Sequence, residues 1–239
     1  MTEIEDLDVM RLVLETWLPE LGMELPPDTC DKLCDFGRAV MEQNQVMNLT
    51  AITDPEQFAK LHLLDSLTVL TCEDLAGRTV IDVGCGAGFP GVPIAVACPE
   101  AKVTLLDSLG KRIHWLGEVL PRMGIPAELV NARAEEEAAR HRETYDVAVS
   151  RAVARLNVLL ELLAPFVRIG GTVLAMKGEH AAEEVNEAES AAKKLGLRLE
   201  GIRTFRVSGV NHVILVYRKV APTPSGYPRR YSKIKQSPL

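Results

Sequence analysis

The feature that most constrains the fold of this 239-residue chain is a glycine-rich segment, residues 84–91, which reads Gly-Cys-Gly-Ala-Gly-Phe-Pro-Gly. It directly follows residues 79–83, which are apolar, rich in branched side chains and typical of a buried strand. Prolines at positions 90 and 93 favour the start of a helix after the glycines. Because glycine permits a sharp turn and the close approach of a ligand to the backbone, the segment predicts a strand–loop–helix unit with a binding site at its loop.

The chain beyond this unit continues to alternate strands with helices. Near-continuous apolar strands separated by helices predict a parallel sheet that is covered on both faces. The last two predicted strands follow each other without a helix, which predicts an antiparallel C-terminal hairpin. The fold class is therefore α/β, a Rossmann-like domain with a seven-stranded, mostly parallel sheet and an N-terminal helical extension. The predicted strands are 79–83, 102–106, 127–130, 145–150, 172–176, 197–206 and 211–219, and the helices among them are 92–97, 110–123, 155–167 and 181–195.

Helical periodicity also marks the first part of the chain. We expect one helix over residues 9–21, capped by Asp8 and stopped by Gly22, a second that opens at residues 26–28, and a third that starts at 54–55. These helices divide the chain into an extension packed on the core (1–70), a ligand-binding domain (71–220) and a basic tail (221–239).

Two acidic residues near the glycines indicate the kind of ligand. Asp107 ends the second strand, nineteen residues after Gly88, where a carboxylate can accept both hydroxyls of a ribose. Residues 86–91 also satisfy the dinucleotide pattern G-x-G-x-x-G. Asp82 inside the first strand, and Pro90 at the helix start that would bind a pyrophosphate, favour S-adenosylmethionine over a dinucleotide.

Charge is distributed unevenly along the chain. The net charge is −6, but residues 1–35 carry ten acidic and two basic side chains, which leaves the remainder weakly positive. The last thirteen residues contain no acidic side chain, and tyrosines alternate there with bases, a pattern that suits contact with unpaired RNA. We therefore predict RNA binding by Arg229, Arg230, Lys233 and Lys235.

Cysteine content and hydropathy indicate the compartment. Five scattered cysteines without a Cys-x-x-Cys pair predict free thiols of a reducing compartment. The acidic first residues differ from a basic signal peptide, and no apolar run reaches the roughly 20 residues of a membrane helix. We expect a cytoplasmic protein, a monomer, with no metal and no membrane partner.

Sequence blocks from about residue 45 to the C-terminus resemble a known family. The chain is similar to the ribosomal small-subunit RNA methyltransferase G family, also called glucose-inhibited division protein B. That resemblance implies the class I methyltransferase form of the fold and methylation of guanine N7 near the decoding region of 16S rRNA, alone or within the small ribosomal subunit. The matching blocks are 48–52, 62–67, 82–91, 105–112, 150–152, 177–178 and the tail segments 227–230 and 238–239.

The resemblance and the residue pattern together select the cofactor site. The resemblance implies contacts at Gly84, Phe89 and Arg151, with Ala134 and Glu135 after the third strand. Asp107 is assigned to the ribose, and Arg151 can bind either the cofactor carboxylate or the RNA. The full set of predicted cofactor-binding residues is Asp82, Gly84, Gly86, Gly88, Phe89, Asp107, Ser108, Ala134, Glu135 and Arg151.

The end of the fourth strand bears on the mechanism. Enzymes that methylate exocyclic amines resemble one another in an Asn/Asp-Pro-Pro-aromatic segment, and residues 150–152, Ser-Arg-Ala, stand in that place here. Guanine N7 carries no proton, so we predict no general base and interpret His62, His212 and Cys85 as structural residues. Lys111 and Arg112 are interpreted as a solvated helix start.

Two other classes of function remain open. One is a small-molecule or protein methyltransferase that shares the fold. The other is a non-catalytic RNA-binding assembly factor that retains a cofactor pocket.

Overall fold

A computed structural model describes residues 3–207 and 210–239, and its centre is one seven-stranded sheet. The strand order is β3-β2-β1-β4-β5-β7-β6, with the first five strands parallel, β7 antiparallel to β5 and β6 antiparallel to β7. The predicted fold class is confirmed. The strands are β1 Thr79–Val83, β2 Lys102–Asp107, β3 Glu128–Asn131, β4 Tyr145–Arg151, β5 Val167–Lys177, β6 Leu197–Val207 and β7 Val210–Lys219.

Ten α-helical segments surround or extend the sheet within the described residues, with π turns over Ala59–Leu64 and 3₁₀ turns at Thr68–Thr71 and Ala164–Phe166. The α-helices are α1 Glu3–Glu20, α2 Thr29–Met47, α3 Pro55–Phe58, α4 Asp65–Leu67, α5 Gly91–Ala97, α6 Gly110–Arg122, α7 Ala134–Arg140, α8 Leu156–Leu163, α9 Ala181–Lys194 and α10 Tyr231–Gln236.

The largest differences from the predicted helix boundaries concern α1 and α8. α1 begins at Glu3, so Asp8 lies inside the helix and does not cap it. The acidic residues before Val9 extend the helix because negative charge is favourable near a helix N-terminus. The helix predicted over 155–167 ends earlier, since Pro165 has no N–H for the helical hydrogen bond, and β5 begins at Val167, before the predicted residue 172.

The third helix begins as predicted. Asp54 is its N-cap, and its side chain accepts a hydrogen bond of 2.8 Å from the Gln57 N–H, with Pro55 in the first turn. The chain then passes directly into the π turns, which carry His62.

The sheet buries a different set of side chains on each face because successive residues of a strand point to opposite sides. Val80 and Val103 face a core that also contains Met10 and Phe36 of α1 and α2. Ile81 and its equivalents on neighbouring strands face a second core with α8 and α9. The N-terminal helices therefore share a continuous core with the sheet.

The domain divisions remain predictions. Residues 1, 2, 208 and 209, which fall within the predicted ranges 1–70 and 71–220, lie outside the described residues. No helix in residues 3–207 or 210–239 combines the length and apolar character needed to span a membrane. All five cysteines are free thiols.

Candidate functional site

A cavity of about 440 Å³ lies at the carboxyl ends of the central strands. The order of the sheet reverses between β1 and β4, because β2 lies on one side of this pair and β5 on the other. Such a reversal opens a crevice, and ligands of parallel α/β sheets bind there. The cavity is lined by Leu49, Thr50, His62, Val83, Gly84, Cys85, Gly86, Ala87, Phe89, Leu106, Asp107, Ser108, Leu109, Arg112, Ala132, Arg133, Ala134, Glu135, Arg151, Ala152, Val153, Leu162 and Tyr231.

The glycine loop forms the floor of this cavity. Gly84 has a φ of 77°, and a Cβ built on it would lie 2.5 Å from Cγ2 of Val153. Gly86 has a φ of 59°, and the nearest side-chain atom to a Cβ there is Nη1 of Arg112 at 3.8 Å. Gly84 is therefore required by packing across the cavity, whereas Gly86 keeps its backbone open toward the space a ligand would fill.

Asp107 connects the loop with the end of β2. Its Oδ2 accepts a hydrogen bond of 2.9 Å from the Gly86 N–H, and its Oδ1 accepts one of 2.8 Å from the Leu109 N–H. Nη1 of Arg112 lies 3.5 Å from Oδ2. The interpretation of Arg112 as part of a solvated helix start is therefore corrected. Its side chain lines the cavity and pairs with Asp107, the residue predicted to bind the ribose.

Two predicted cofactor residues lie behind the wall of the cavity. Gly88 packs against α5 and α6, where an added Cβ would meet Val92 at 2.6 Å and Leu116 at 3.3 Å. Asp82 is fully buried, and its Oδ1 has no hydrogen-bond partner. Burial raises the pKa of Asp82 to about 7. Both residues support the glycine loop from beneath instead of lining the cavity.

The N-terminus of α5 bears on the dinucleotide alternative. The Gly91 N–H donates to Oδ2 of Asp82 at 2.8 Å. Val92 donates to the Gly88 carbonyl, Ile94 to the Pro90 carbonyl, and residue 93 is a proline. Every N–H of this first turn is already bound, so the helix offers no cradle for a pyrophosphate, and the geometry favours a ligand without phosphate.

The end of β3 forms another side of the cavity. Ala134 and Glu135 begin α7 and line the cavity as predicted for an adenine edge, and Ser108 lines it beside Asp107. The Tyr231 N–H donates to Oε1 of Glu135 at 3.3 Å, so the C-terminal tail closes this side.

A network of side chains forms the end of the cavity beside β4. Arg151 donates to the Leu61 carbonyl at 2.8 Å, to Oδ2 of Asp65 at 2.8 Å and to Nδ1 of His62 at 2.9 Å. The His62 ring stacks on Phe89, with centroids 4.9 Å apart. His62, interpreted from sequence as structural, therefore lies in the cavity wall in direct contact with two predicted cofactor residues.

Charges in this network are balanced. Burial alone would raise the pKa of Asp65, but the hydrogen bond from His212 and the Arg151 guanidinium outweigh it and hold the pKa below its ordinary value. Burial and, to a smaller extent, the charge of Arg151 lower the pKa of His62 to about 3. At neutral pH the network contains an ionised Asp65, a cationic Arg151 and a neutral His62.

The C-terminal tail folds back onto α8, and this corrects one predicted RNA contact. Nε and Nη2 of Arg229 donate to the two carboxylate oxygens of buried Glu161 at 2.8 and 2.6 Å. The bidentate pair anchors the tail, so this guanidinium is not free for a phosphate. Ile234 is buried against α8. The side chains of Arg230, Lys233 and Lys235 are exposed.

Several residues of the cavity wall were missed or given no ligand role by sequence reasoning. Thr50, His62 and Arg112 all line the cavity, although they come from three separate segments. Each lies in or beside a sequence block that resembles the family, which was the available signal. Nothing in the local pattern indicated that these blocks meet around one cavity.

Comparisons with known proteins agree with this geometry. Residues 29–213 match the family described as rRNA small subunit methyltransferase G (GidB). A ribosomal RNA small subunit methyltransferase G of Clostridium perfringens is 39% identical over 225 residues, which is 92% of this chain and 94% of the relative. Its counterpart in Acetivibrio thermocellus is 40% identical over 98% of both chains.

Solved structures show a similar fold at low sequence identity. M. jannaschii TYW2 in complex with AdoMet has a TM-score of 0.54 and 15% identity, and covers 66% of this chain and 76% of its own. A 16S rRNA adenine-N1 methyltransferase from Catenulisporales acidiphilia has a TM-score of 0.52 and 18% identity. The match covers 63% of this chain and 88% of the methyltransferase.

Proposed function

The chain belongs to the rRNA small subunit methyltransferase G family, and we therefore propose that it transfers a methyl group from S-adenosylmethionine to N7 of a guanine in 16S rRNA. The observation that carries the proposal is the cavity at the strand ends. Its glycine loop, the Asp107 carboxylate and the already bonded N–H groups at the start of α5 suit an adenosyl ligand without phosphate. The same substrate implies that the protein acts in the cytoplasm.

The residues around the cavity fit this cofactor. Oδ1 of Asp107 accepts one hydrogen bond and retains capacity for a ribose hydroxyl. Ala134 and Glu135 suit the adenine side, and Phe89 provides an apolar wall. When bound, S-adenosylmethionine supplies a methyl group whose bond to the positively charged sulfur breaks as the bond to the acceptor nitrogen forms, leaving a neutral thioether.

The side chains near Arg151 support a reaction without a general base. Guanine N7 presents a lone pair and has no proton to lose. Nδ1 of His62 is occupied by Arg151, and the low pKa of the ring makes it a poor proton acceptor. Burial raises the pKa of Cys85 well above its usual value, which disfavours a thiolate nucleophile. The chain's contribution is to orient the two reactants and to exclude water.

RNA contact is assigned to the exposed part of the tail. Arg230, Lys233 and Lys235 flank Tyr231, which lines the cavity. Cations beside the cavity mouth would hold the phosphates next to the target nucleotide, and the aromatic ring offers a surface on which a base can stack. The docking of α10 through Ile234 and Arg229 gives these cations a fixed position relative to the cavity.

The test is transfer of labelled methyl groups from S-adenosylmethionine to small ribosomal subunits of a strain that lacks this protein, followed by mapping of the labelled base. We expect a single N7-methylguanine in 16S rRNA. Label in protein or in small molecules would support a methyltransferase of another substrate class. Cofactor binding without any transfer to subunits or naked rRNA would support a non-catalytic assembly factor and contradict the proposal.

A further inference from the structure

The neighbours of Thr50 determine which hydrogen bonds its hydroxyl accepts and which it can donate. Thr50 lies in the loop between α2 and α3 and lines the cavity. Its own N–H donates to Oδ1 of Asn44 at 2.9 Å, which holds the loop against the end of α2. Its Oγ1 lies 2.7 Å from Nε2 of His62 and accepts a hydrogen bond of 3.0 Å from the Ile52 N–H.

Arg151 selects the tautomer of His62. A guanidinium has only donors, so Nδ1 of His62, which lies 2.9 Å from Nη2 of Arg151, must be the acceptor in that contact. A neutral imidazole with an unprotonated Nδ1 carries its hydrogen on Nε2. The Nε2–H therefore donates to Oγ1 of Thr50.

Oγ1 of Thr50 then accepts two hydrogen bonds, from His62 and from Ile52. A hydroxyl oxygen has two lone pairs, so both are used and only the O–H hydrogen is left to bond. Within residues 3–207 and 210–239, no carbonyl or carboxylate accepts this hydrogen. A partly buried donor with no protein acceptor, placed in the wall of a cavity, is available to an acceptor on the ligand.

Groups behind Arg151 keep this arrangement in place. Arg151 is held by the Leu61 carbonyl and by Asp65, and Oδ1 of Asp65 pairs with Nδ1 of His212 at 2.7 Å. Asp65 accepts hydrogen bonds from both His212 and Arg151, and Arg151 donates in turn to His62. The ion pair with Asp65 therefore keeps Arg151 in place as the donor to His62.

Building on the proposed function, we propose that the Thr50 hydroxyl is a fixed donor to an acceptor oxygen of the reacting pair, with His62 as its positioning residue. Two such oxygens belong at this end of the cavity: the carboxylate of S-adenosylmethionine and O6 of the target guanine. O6 is an acceptor next to N7, and adenine has a donor there instead, so a fixed donor would also select guanine.

The first experiment separates the two acceptors with Thr50→Val, which removes the hydroxyl, and Thr50→Ser, which keeps it. Binding of S-adenosylhomocysteine and of its decarboxylated analogue is measured by calorimetry. The kcat/KM for methylation is measured on RNA that carries guanine or 2-aminopurine, which lacks O6, at the target position. Thr53→Val in the same loop is the matched control.

We expect Thr50→Val to lower either the affinity for S-adenosylhomocysteine or the kcat/KM on guanine RNA roughly 10- to 100-fold. The corresponding value for the analogue that lacks the oxygen should not change, and Thr50→Ser should stay close to wild type. A loss of affinity confined to S-adenosylhomocysteine identifies the carboxylate as the acceptor of the Thr50 hydrogen bond. A loss of kcat/KM confined to guanine RNA identifies O6 as that acceptor. Equal losses on both members of each pair, or none, overturn the inference. Failure of the proposed function is distinct, because wild type would then also be inactive on guanine RNA.

A second measurement does not depend on activity or on Thr50→Val retaining its loop. Nitrogen-15 chemical shifts of His62 in the wild-type protein report which ring nitrogen carries the hydrogen. We expect a neutral ring protonated at Nε2 at pH 7, assigned by loss of its signals in His62→Gln. Protonation at Nδ1 would remove the basis for a donating Thr50 hydroxyl.

Discussion

The two ends of the cavity are formed by different parts of the residues, backbone at one end and side chains at the other. The end beside β1 to β3 is made largely of backbone: glycine turns whose N–H groups are held by Asp82 and Asp107. The end beside β4 is made of side chains, in which Arg151, His62 and Asp65 bind one another. Backbone suits a cofactor that every member of a fold class must hold, whereas side chains can be matched to one acceptor.

The difference also concerns electrostatics. At the glycine-loop end, burial raises the pKa of Asp82 to about 7. At the Arg151 end, burial lowers the pKa of His62 to about 3. Each shift disfavours the charged form of a buried group, yet their effects on stability as a function of pH have opposite signs.

Removal of Arg151 should produce the largest effect on stability. Arg151→Met leaves Asp65 buried and without its cationic partner, and we expect the free energy of unfolding to fall by about 3–5 kcal/mol. Arg168→Met is the matched control, because its ion pair with Asp146 is half exposed and should contribute about 1 kcal/mol or less. Urea denaturation measures both. Equal losses in the free energy of unfolding would mean that the Arg151–Asp65 pair stabilises the protein no more than a surface ion pair does.

Asp107 tests the glycine-loop end. Asp107→Ala removes the acceptor for Gly86 and Leu109 as well as the predicted ribose ligand, and we expect S-adenosylmethionine affinity to fall roughly 100-fold. Asp74→Ala removes another carboxylate bound to a backbone N–H, that of Ala76, and should leave affinity unchanged. Calorimetry measures the dissociation constant of S-adenosylmethionine for both variants. An unaltered value for Asp107→Ala would exclude the contact between Asp107 and the ribose.

The pH dependence of stability distinguishes the two ends by sign. Neutral His62 contributes stability that is complete above its unfolded pKa of 6.5 and is lost as pH falls toward 3. Protonated Asp82 contributes stability that is complete below 3.8 and is lost as pH rises toward 7. Between these limits each changes the free energy of unfolding by about 1.4 kcal/mol per pH unit, in opposite directions.

Single variants should reveal these cancelling contributions. Between pH 4.5 and 6, Asp82→Asn should make the loss of stability on acidification steeper than in wild type, and His62→Gln should make it shallower. Urea denaturation at three pH values provides the slopes. Parallel pH profiles for wild type and both variants would show that neither shift is present in the folded protein.

The tail extends the comparison and should give the smallest effect. Lys233→Ala with Lys235→Ala removes two exposed cations, and we expect RNA affinity to fall several-fold and the salt dependence of binding to decrease, with stability unchanged. Arg229→Ala should instead lower stability, because Glu161 is fully buried. If the lysine variant binds RNA like wild type at every salt concentration, the tail has no phosphate contacts at these positions.

Much of the fold followed from local patterns. All seven strands, the C-terminal hairpin and the start of α3 at Asp54 were predicted, because they depend on neighbours in sequence: apolar runs, glycine and proline positions, and a capping side chain. Asp107 at the end of β2 could be selected for the same reason. The boundary of β5 differed because a partner outside the segment mattered: the strand begins earlier, where Val167 pairs with Tyr145.

The sequence by itself therefore determined the sheet, the glycine loop and the carboxylate beside it, since backbone conformation there depends on residues a few positions apart. Only the tertiary structure decided that Arg151 meets Asp65 across 86 residues and His62 across 89, and that Arg229 pairs with Glu161. The physical reason is that a charged or polar side chain is governed by the partners that burial gives it, and packing of the whole chain chooses those partners.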